Sequence, residues 1–186
     1  MKEVKGYKAF NNDATNRCGK PFTEGETYRV DGEIRFGNEG NGFHMCTFLS
    51  DVFRYVNAID EEVLVAEVTG RGKHAQYDDT YYGYYDMYSF EEMTIDRFIS
   101  REEVIDKMLN SFSPEVIKFL MTFKLNETEK ILFARKFRGE PNVIKALLYY
   151  QFGCTEVYKS EFNFGNEYIR LVLKYGQDNN KRSKRE

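Results

Sequence analysis

The chain lacks tryptophan altogether, and it has only three prolines, three cysteines and two histidines in 186 residues. The longest stretch without a polar or charged side chain is residues 146–150, whereas a membrane-spanning helix needs about 20 apolar residues. We therefore expect no membrane partner. The first ten residues, MKEVKGYKAF, contain no apolar segment of the kind found in secretory signals. This predicts a cytoplasmic protein.

The cysteines Cys18, Cys46 and Cys154 are odd in number and far apart. They do not predict a disulfide framework, and they suit a reducing compartment. Cys18, His44, Cys46 and His74 are of metal-binding types, but their spacing is that of neither a zinc finger nor a zinc ribbon. We therefore expect no metal site and three buried thiols.

Aromatic side chains are abundant instead, with 16 Phe and 14 Tyr. Because 41% of the residues are hydrophobic, the chain can build a core as one medium domain or as a small domain with an appendage. Phe supplies buried area, whereas Tyr can also cover a surface and offer a hydroxyl group. The composition suits recognition as well as packing.

Charge divides the chain into two halves. Residues 1–99 contain 11 Lys/Arg and 18 Asp/Glu, and residues 100–186 contain 16 and 12. Phosphate contacts dominate nucleic-acid affinity, so the acidic first half disfavours such a partner. Nucleic acid remains a partner only for the basic tail or for a modest basic face in the second half. An ordinary helix with solvated lysines would give the same sequence pattern as such a face. That face would comprise Lys124, Lys130, Arg135, Lys136 and Arg138.

The first half predicts a small mixed or antiparallel β domain over residues 1–99. The runs YKAF, ETYRV, EEVLVAEVT and EMTIDRF are rich in β-branched or aromatic residues and are separated by turn residues. Leu64, Ala66 and Val68 alternate with Val65, Glu67 and Thr69, which predicts a strand covered on one face and partly on the other. Ser50 and Asp51 predict the N-terminus of one embedded helix after the strand GFHMC. The predicted fold class is α+β.

The second half predicts a bundle of about four helices over residues 100–176. Ser100 with Glu103, and Asn126 with Glu129, have capping-box spacing, and Ser113 before Pro114 indicates another helix start. Gly139 and Gly176 are expected near helix C-termini, and Asn166 is expected to cap a last helix, EYIRLVLKY. A stripe of Val116, Phe119, Leu120 and Phe123 has helical spacing. Residues 177–186 predict a disordered, polar, basic tail.

Four motifs in the first half resemble an uncharacterised family of phage and bacterial proteins. They are the opening YKAFN, the strand GETYRV after a Cys-Gly turn, the strand GFHMC with its following helix, and the strand VAEVTG. Together they span roughly residues 5–105. The resemblance implies a fold for this half, and it implies no activity.

The same layout is remotely similar to ADP-ribosyltransferases, in which three strands surround an NAD cleft. That resemblance implies an ADP-ribosyltransferase-like fold with NAD as substrate and no resident cofactor. It implies that Lys8, Tyr7 and Phe43 hold the nucleotide, that His44 lies in the wall of the nicotinamide pocket, and that Glu92 is the catalytic carboxylate. A carboxylate there would support the cationic sugar as nicotinamide departs. Lys8 replaces the usual Arg or His, and Glu91 competes with Glu92.

Each of these residues also has a structural interpretation. A histidine between Phe43 and Met45 is often a hydrogen-bonded structural residue. Cys46 has no neighbouring base or cation in the sequence that would activate its thiol. Glu92 can simply face water, and Lys8 can extend over an aromatic surface.

Residues 76–90, QYDDTYYGYYDMYSF, form a Tyr/Asp-rich segment with six tyrosines and three aspartates. Tyrosine brings contact area with little side-chain entropy to lose, so the segment predicts a binding surface for a partner with a basic face. It could equally be a lid over an NAD cleft, or a β-hairpin that turns at Gly83. The candidate partner-binding residues are Tyr77, Asp78, Asp79, Tyr81, Tyr82, Tyr84, Tyr85 and Asp86.

Two functions follow. The preferred prediction is an accessory interaction protein of a phage or mobile element that binds a host macromolecule in the host cytoplasm, with an anti-defence or inhibitory role. A host protein is the expected partner, and the contact is made by the Tyr/Asp-rich segment or the helical half. The alternative is an NAD-dependent mono-ADP-ribosyltransferase that uses Glu92. An enzyme should bring Lys8, His44 and Glu92 around one pocket.

Overall fold

A computed structural model describes residues 3–16, 18–35, 41–56, 58–59, 62–78 and 86–155. The chain forms two compact units, Met1–Met108 and Leu109–Glu186. The first contains an antiparallel sheet of five strands with two helices, and the second is helical where it is described. The α+β content agrees with the prediction from the sequence. No helix within the described ranges is both long and apolar enough to cross a bilayer.

The sheet of the first unit closes on itself. Its strands are β1 (Glu3–Asn11), β2 (Thr27–Arg29), β3 (Phe43–Cys46), β4 (Val63–Asp78) and β5 (Asp86–Ile99). The pairings run from β1 to β4, from β4 to β5, from β5 to β3, and from β3 back to β1, all antiparallel. Strand β2 lies beside β3 on the same edge of β5.

Alternation along the strands fills the interior of this sheet. Leu64, Ala66 and Val68 of β4 contribute to the core, whereas Val65 and Thr69 on the other face are buried as well. This confirms the predicted strand with one face covered and the other partly covered. The remaining core is aromatic, because Phe22 from the loop after β1 packs between other rings. The rings around it are Phe10, Tyr28 and Phe43, with centroids 5.1, 4.6 and 6.3 Å from that of Phe22.

Helix α1 (Leu49–Val52) follows β3, as predicted, but it begins differently. Phe48 is the N-cap and offers no side-chain hydrogen bond, so the prediction that Ser50 and Asp51 start the helix is wrong. Both residues are fully buried within the helix. A single 3-10 turn, Phe53–Tyr55, continues α1. The apolar packing of this short segment determines where it begins, rather than a polar cap.

Helix α2 (Arg101–Leu109) belongs to the first unit for nearly all its length. The predicted capping box is confirmed: the Ser100 amide donates to the Glu103 carboxylate at 3.0 Å, and the Glu103 amide donates to Ser100 Oγ at 3.2 Å. Lys107 pairs with Glu67 of β4 at 2.9 Å, and Arg97 of β5 pairs with Glu103 at 2.7 Å. These pairs attach α2 to the sheet, so the compact unit extends beyond residue 99.

The second unit contains α3 (Ser113–Thr122), α4 (Glu127–Lys136), α5 (Pro141–Ala146) and a π-helical turn, Leu147–Gln151. The predicted stripe of α3 is buried, and Phe119 stacks with Phe123 and Phe133 at 4.6 and 5.9 Å. Gln151 Nε2 donates to the carbonyls of Leu120 and Phe123. The side chain of Gln151 therefore satisfies carbonyl groups at the end of α3.

The helix starts of this unit were predicted with mixed success. The Asn126 capping box is confirmed in both of its hydrogen bonds. Ser113 is the first residue of α3 rather than its cap, which is Phe112. Gly139 lies beyond Phe137, the residue that caps α4 at its C-terminus. The predicted helix EYIRLVLKY, with Asn166 and Gly176, and the predicted tail lie outside the described residues.

Candidate functional site

The site begins where β1 and β3 separate. These strands share one register pair, Tyr7 with Cys46, although both continue beyond it. A Cβ atom on Gly6 would collide with the Cys46 carbonyl oxygen, so the two backbones touch on one side of that pair. On the other side Lys8 Nζ donates to the His44 carbonyl oxygen at 2.8 Å. The Lys8 side chain thus bridges β1 and β3 where their backbone pairing has ended.

The separation opens a cleft of about 820 Å³. Its walls include β1, β3, the turn after β1, α1 with the residues that follow it, and the ends of β4 and β5. Tyr7, Lys8 and His44, which the sequence indicated as candidate site residues, all line it. The volume falls within the usual range for small-molecule pockets.

The charge state of the cleft is set by Lys8 and His44. Burial lowers the pKa of Lys8 to about 8, and the neighbouring Cys46 opposes that shift. Lys8 therefore remains mostly protonated at neutral pH. The pKa of His44 is lowered below its usual value, first by burial and then by the charge on Lys8. His44 is therefore mainly neutral at pH 7, and among the described residues that line the cleft Lys8 is the cation.

Tyr55 and Tyr77 form the rim of the cleft. They are 45% and 42% exposed. Tyr55 Oη donates to Met87 Sδ, and Met87 is the cross-strand neighbour of Tyr77 in the β4–β5 hairpin. The two rings therefore lie at the same end of the sheet. Burial of its hydroxyl end raises the pKa of Tyr55 to about 12, so it remains a phenol.

Tyr77 is also the first tyrosine of the Tyr/Asp-rich segment. Asp78 ends β4 and Asp86 begins β5, and these residues pair across the hairpin. The hairpin interpretation is therefore correct for the strands that flank the turn. Five of the candidate partner-binding residues lie outside the described ranges, namely Asp79, Tyr81, Tyr82, Tyr84 and Tyr85.

Glu92 does not line the cleft. It lies on β5 opposite Arg29 of β2 and Arg71 of β4. Arg29 Nε donates to its carboxylate at 3.1 Å, and Arg29 Nη2 makes a second bond. Arg71 extends the same polar row to Glu3 at 2.8 Å. Glu92 therefore takes part in a cross-strand row of charges, and the structure does not bring it to Lys8 and His44.

Two further sequence expectations concern Phe43 and the cysteines. Phe43 is buried in the core and is not a cleft residue. Cys46 is buried as expected, but Cys18 is exposed and Cys154 is intermediate, so the prediction of three buried thiols is wrong for two of them. Cys18 lies on an exposed turn and lines the cleft. No cluster of His, Cys, Asp or Glu in the described part of the chain is arranged to hold a metal ion.

The sequence did not indicate several cleft residues. Tyr55, Val52 and Val56 were assigned only to a helix, Asn11 only to the motif YKAFN, and Asn16 was given no role. Tyr55 has a detectable signal, because a tyrosine ends the short segment that follows the buried Val52 and Phe53. The asparagines have no such signal, since turns contain asparagine for conformational reasons alone.

The pattern of strands and motifs matches a family model described as a domain of unknown function, DUF7666, over residues 4–107. The chain belongs to the DUF7666 family. The matched region is the first compact unit almost in full, and it contains every described residue of the cleft. This confirms the predicted resemblance to an uncharacterised family. The search of curated proteins found no match, and neither did that of solved structures.

Proposed function

We propose that this DUF7666 protein is a binding protein that captures a partner protein at the rim of the cleft. The observation that carries the proposal is the pair of exposed rings, Tyr55 and Tyr77, at one end of the sheet. Tyrosine is enriched in binding hot spots because it offers a rigid, amphipathic contact surface. The Tyr/Asp-rich segment starts at this position and adds five further tyrosines in sequence.

The partner should present a basic surface to this end of the sheet. The segment contributes three aspartates, and residues 1–99 have an excess of acidic residues over basic ones, 18 to 11. Complementary charge steers association and rejects partners of the wrong sign. We therefore place a basic protein, rather than a nucleic acid, at the rim.

The biological setting is part of the same proposal. The resemblance to phage and bacterial proteins favours an accessory protein of a phage or mobile element, acting in the cytoplasm of its host. An inhibitory or anti-defence role would follow if the captured protein is a host nucleic-acid-binding protein, because such proteins have basic surfaces. Capture would then compete with the nucleic acid for that surface.

Site-specific photo-crosslinking in host lysate tests the proposal. A photoreactive amino acid at position 77 should capture one defined protein, and the same group at Glu102, an exposed residue of α2, should not. Capture at position 77 should disappear when Tyr55 is changed to Ser and when high salt is added. Equal capture at positions 77 and 102, or capture that does not depend on Tyr55, would exclude a binding surface at the rim.

The geometry does not favour the transferase alternative, because Glu92 is paired with Arg29 away from the cleft. Transfer of label from NAD in the same lysate provides the check. We expect no labelled product that depends on Glu92. Label that appears with the wild type and vanishes with Glu92→Gln would restore the transferase as the function.

A further inference from the structure

We infer that the interior of the cleft between β1 and β3 binds a small organic anion with an apolar, ring-containing body. This site lies inside the partner surface proposed above and shares Tyr55 with it. It does not depend on partner capture. The inference rests on the charge, the hydrogen-bonding groups and the apolar surface of the cleft wall.

The charge of the wall has one sign. None of the described residues that line the cleft is an aspartate or glutamate, although residues 1–99 contain 18 of them. Lys8 is the lining residue that is charged at neutral pH. Acidic groups outside the wall are screened by salt over about 10 Å, whereas an anion inside would contact Lys8 directly. The local field thus favours an anion in an acidic unit.

The Lys8 ammonium is positioned to accept a ligand. It has three N–H groups, and in the described part of the chain the His44 carbonyl is the one hydrogen-bond acceptor that it contacts. That bond holds the ammonium at the wall and leaves two N–H groups for an anionic oxygen. The pKa of about 8 keeps it charged at pH 7.

Asn16 supplies a second donor. Its side-chain oxygen accepts hydrogen bonds from the amides of Cys18 and Lys20 at 3.0 and 2.9 Å. These bonds fix the orientation of the side-chain amide, so its NH₂ group is the part left for a ligand. Lys8 and Asn16 therefore give the cleft two donors from different elements, β1 and the turn after it.

Part of the cleft wall is apolar and can contact the ring-containing body of the ligand. Val52, Val56, Met45 and Met87 line the cleft together with the rings of Tyr7 and Tyr55. An apolar wall with a few positioned polar groups is the usual composition of a ligand pocket. An inorganic anion would leave this wall in contact with water, so an organic anion fits better.

Two matched fluorescent probes test this inference on the full chain at pH 7. 8-Anilinonaphthalene-1-sulfonate carries a sulfonate, and N-phenyl-1-naphthylamine has the same ring system without it. We expect the sulfonate probe to bind in a saturable way with one site per chain, and to bind more tightly than the neutral probe. Equal affinity of the two probes, or no saturable binding, would overturn the inference.

Three variants test whether Lys8 and Asn16 contact the sulfonate group of the probe. Lys8→Met should weaken the sulfonate probe about tenfold, the usual value of a charge-assisted hydrogen bond, and leave the neutral probe within about twofold. Asn16→Asp keeps the oxygen that accepts from Cys18 and Lys20 but replaces the NH₂ group by a carboxylate oxygen, so it should weaken the same probe selectively. Lys5→Met removes an exposed lysine of the same strand and should change neither affinity.

Urea denaturation of each variant shows whether it is folded, because partly folded proteins bind the sulfonate probe nonspecifically. If Lys8→Met does not fold, Asn16→Asp decides the question. A parallel change in both probes, or an effect of Lys5→Met as large as that of Lys8→Met, would contradict an anion site in the cleft.

Discussion

Lys8 Nζ lies 2.8 Å from the carbonyl oxygen of His44 and donates a hydrogen bond to it. This bond joins β1 to β3 one residue after Tyr7 and two residues before Cys46, their single register pair, at the point where the cleft opens. The same ammonium lies 5.8 Å from the centre of the Phe10 ring. Lys8 therefore stabilises the opening between the strands, and it also supplies the positive charge in the cleft.

The buried ammonium should make stability depend on pH. The pKa of Lys8 is lowered from 10.5 to about 8 in the folded protein, so the unfolded chain binds more protons between these values. The free energy of unfolding therefore rises with pH across this window, by at most about 3 kcal/mol from this group. Urea denaturation at pH 7, 8, 9 and 10 measures it.

Lys8→Met is the control for that pH dependence. Other groups titrate in the same window, and their contribution remains in the variant, so the wild type minus variant difference isolates Lys8. This difference should increase from pH 7 to pH 10. Above pH 10 the raised pKa of Tyr55 acts in the opposite direction, because the folded state disfavours the phenolate. A difference that stays constant from pH 7 to 10 would show that Lys8 is not buried as a cation.

His44 should respond to Lys8 in its own titration. The chain has two histidines, so both ring signals can be followed by NMR, with His74 as an internal reference. We expect a pKa below the usual value for His44 in the wild type, and a higher one in Lys8→Met, because the variant removes a nearby positive charge. Lys5→Met should leave it unchanged. An unaltered His44 pKa in Lys8→Met would show that the charge on Lys8 does not act on His44.

Gly6 should tolerate no larger side chain. A Cβ atom there would meet the Cys46 carbonyl oxygen and the end of Met45, and the backbone oxygen cannot move without breaking the contact between β1 and β3. Gly6→Ala should lower the free energy of unfolding by about 1–3 kcal/mol. The exposed neighbour Lys5→Ala should change it by less than about 0.5 kcal/mol. Urea denaturation compares them, and equal stability of the two variants would argue against close approach of the strands.

Two helix starts in the second unit provide a contrast. Asn126→Ala removes a complete capping box and should cost about 1 kcal/mol of stability. Ser113→Ala changes a residue inside the helix whose hydroxyl makes one exposed contact, with Glu140 at 3.3 Å, and should cost less than about 0.5 kcal/mol. Thermal unfolding ranks the two variants. The reverse order would make Ser113 the functional cap.

The sequence predicted the elements of the first unit well where alternation is strong. Leu64, Ala66 and Val68 indicated β4 and its buried face, and the structure confirms this. Ser100 and Asn126 indicated helix starts because capping is a local interaction between residues three apart. Local chemistry of this kind is readable without knowledge of the fold.

The sequence did not predict how the strands meet. Closure of the sheet depends on β1 and β3, which lie more than 30 residues apart and share one pair, and no local pattern encodes that contact. The pairing of Glu92 with Arg29 arises from register across β2 and β5, which motif comparison cannot show. Tyr55 joins Tyr77 at the cleft only because the 3-10 turn Phe53–Tyr55 brings its hydroxyl to Met87 of β5, the cross-strand neighbour of Tyr77. These long-range contacts determine which candidate residues share the cleft.

Binding of a basic partner protein by Tyr55 and Tyr77, as we propose, can be measured in solution. The most direct test is calorimetric titration of the partner captured at position 77, purified, into the wild type, into the Tyr55→Ser/Tyr77→Ser variant and into Phe112→Ser. Phe112 is the control, because it is an aromatic residue of the second unit that is at least as exposed as the two tyrosines. We expect the double variant to weaken binding at least tenfold, and Phe112→Ser to bind like the wild type. Unchanged affinity of the double variant would contradict the claim.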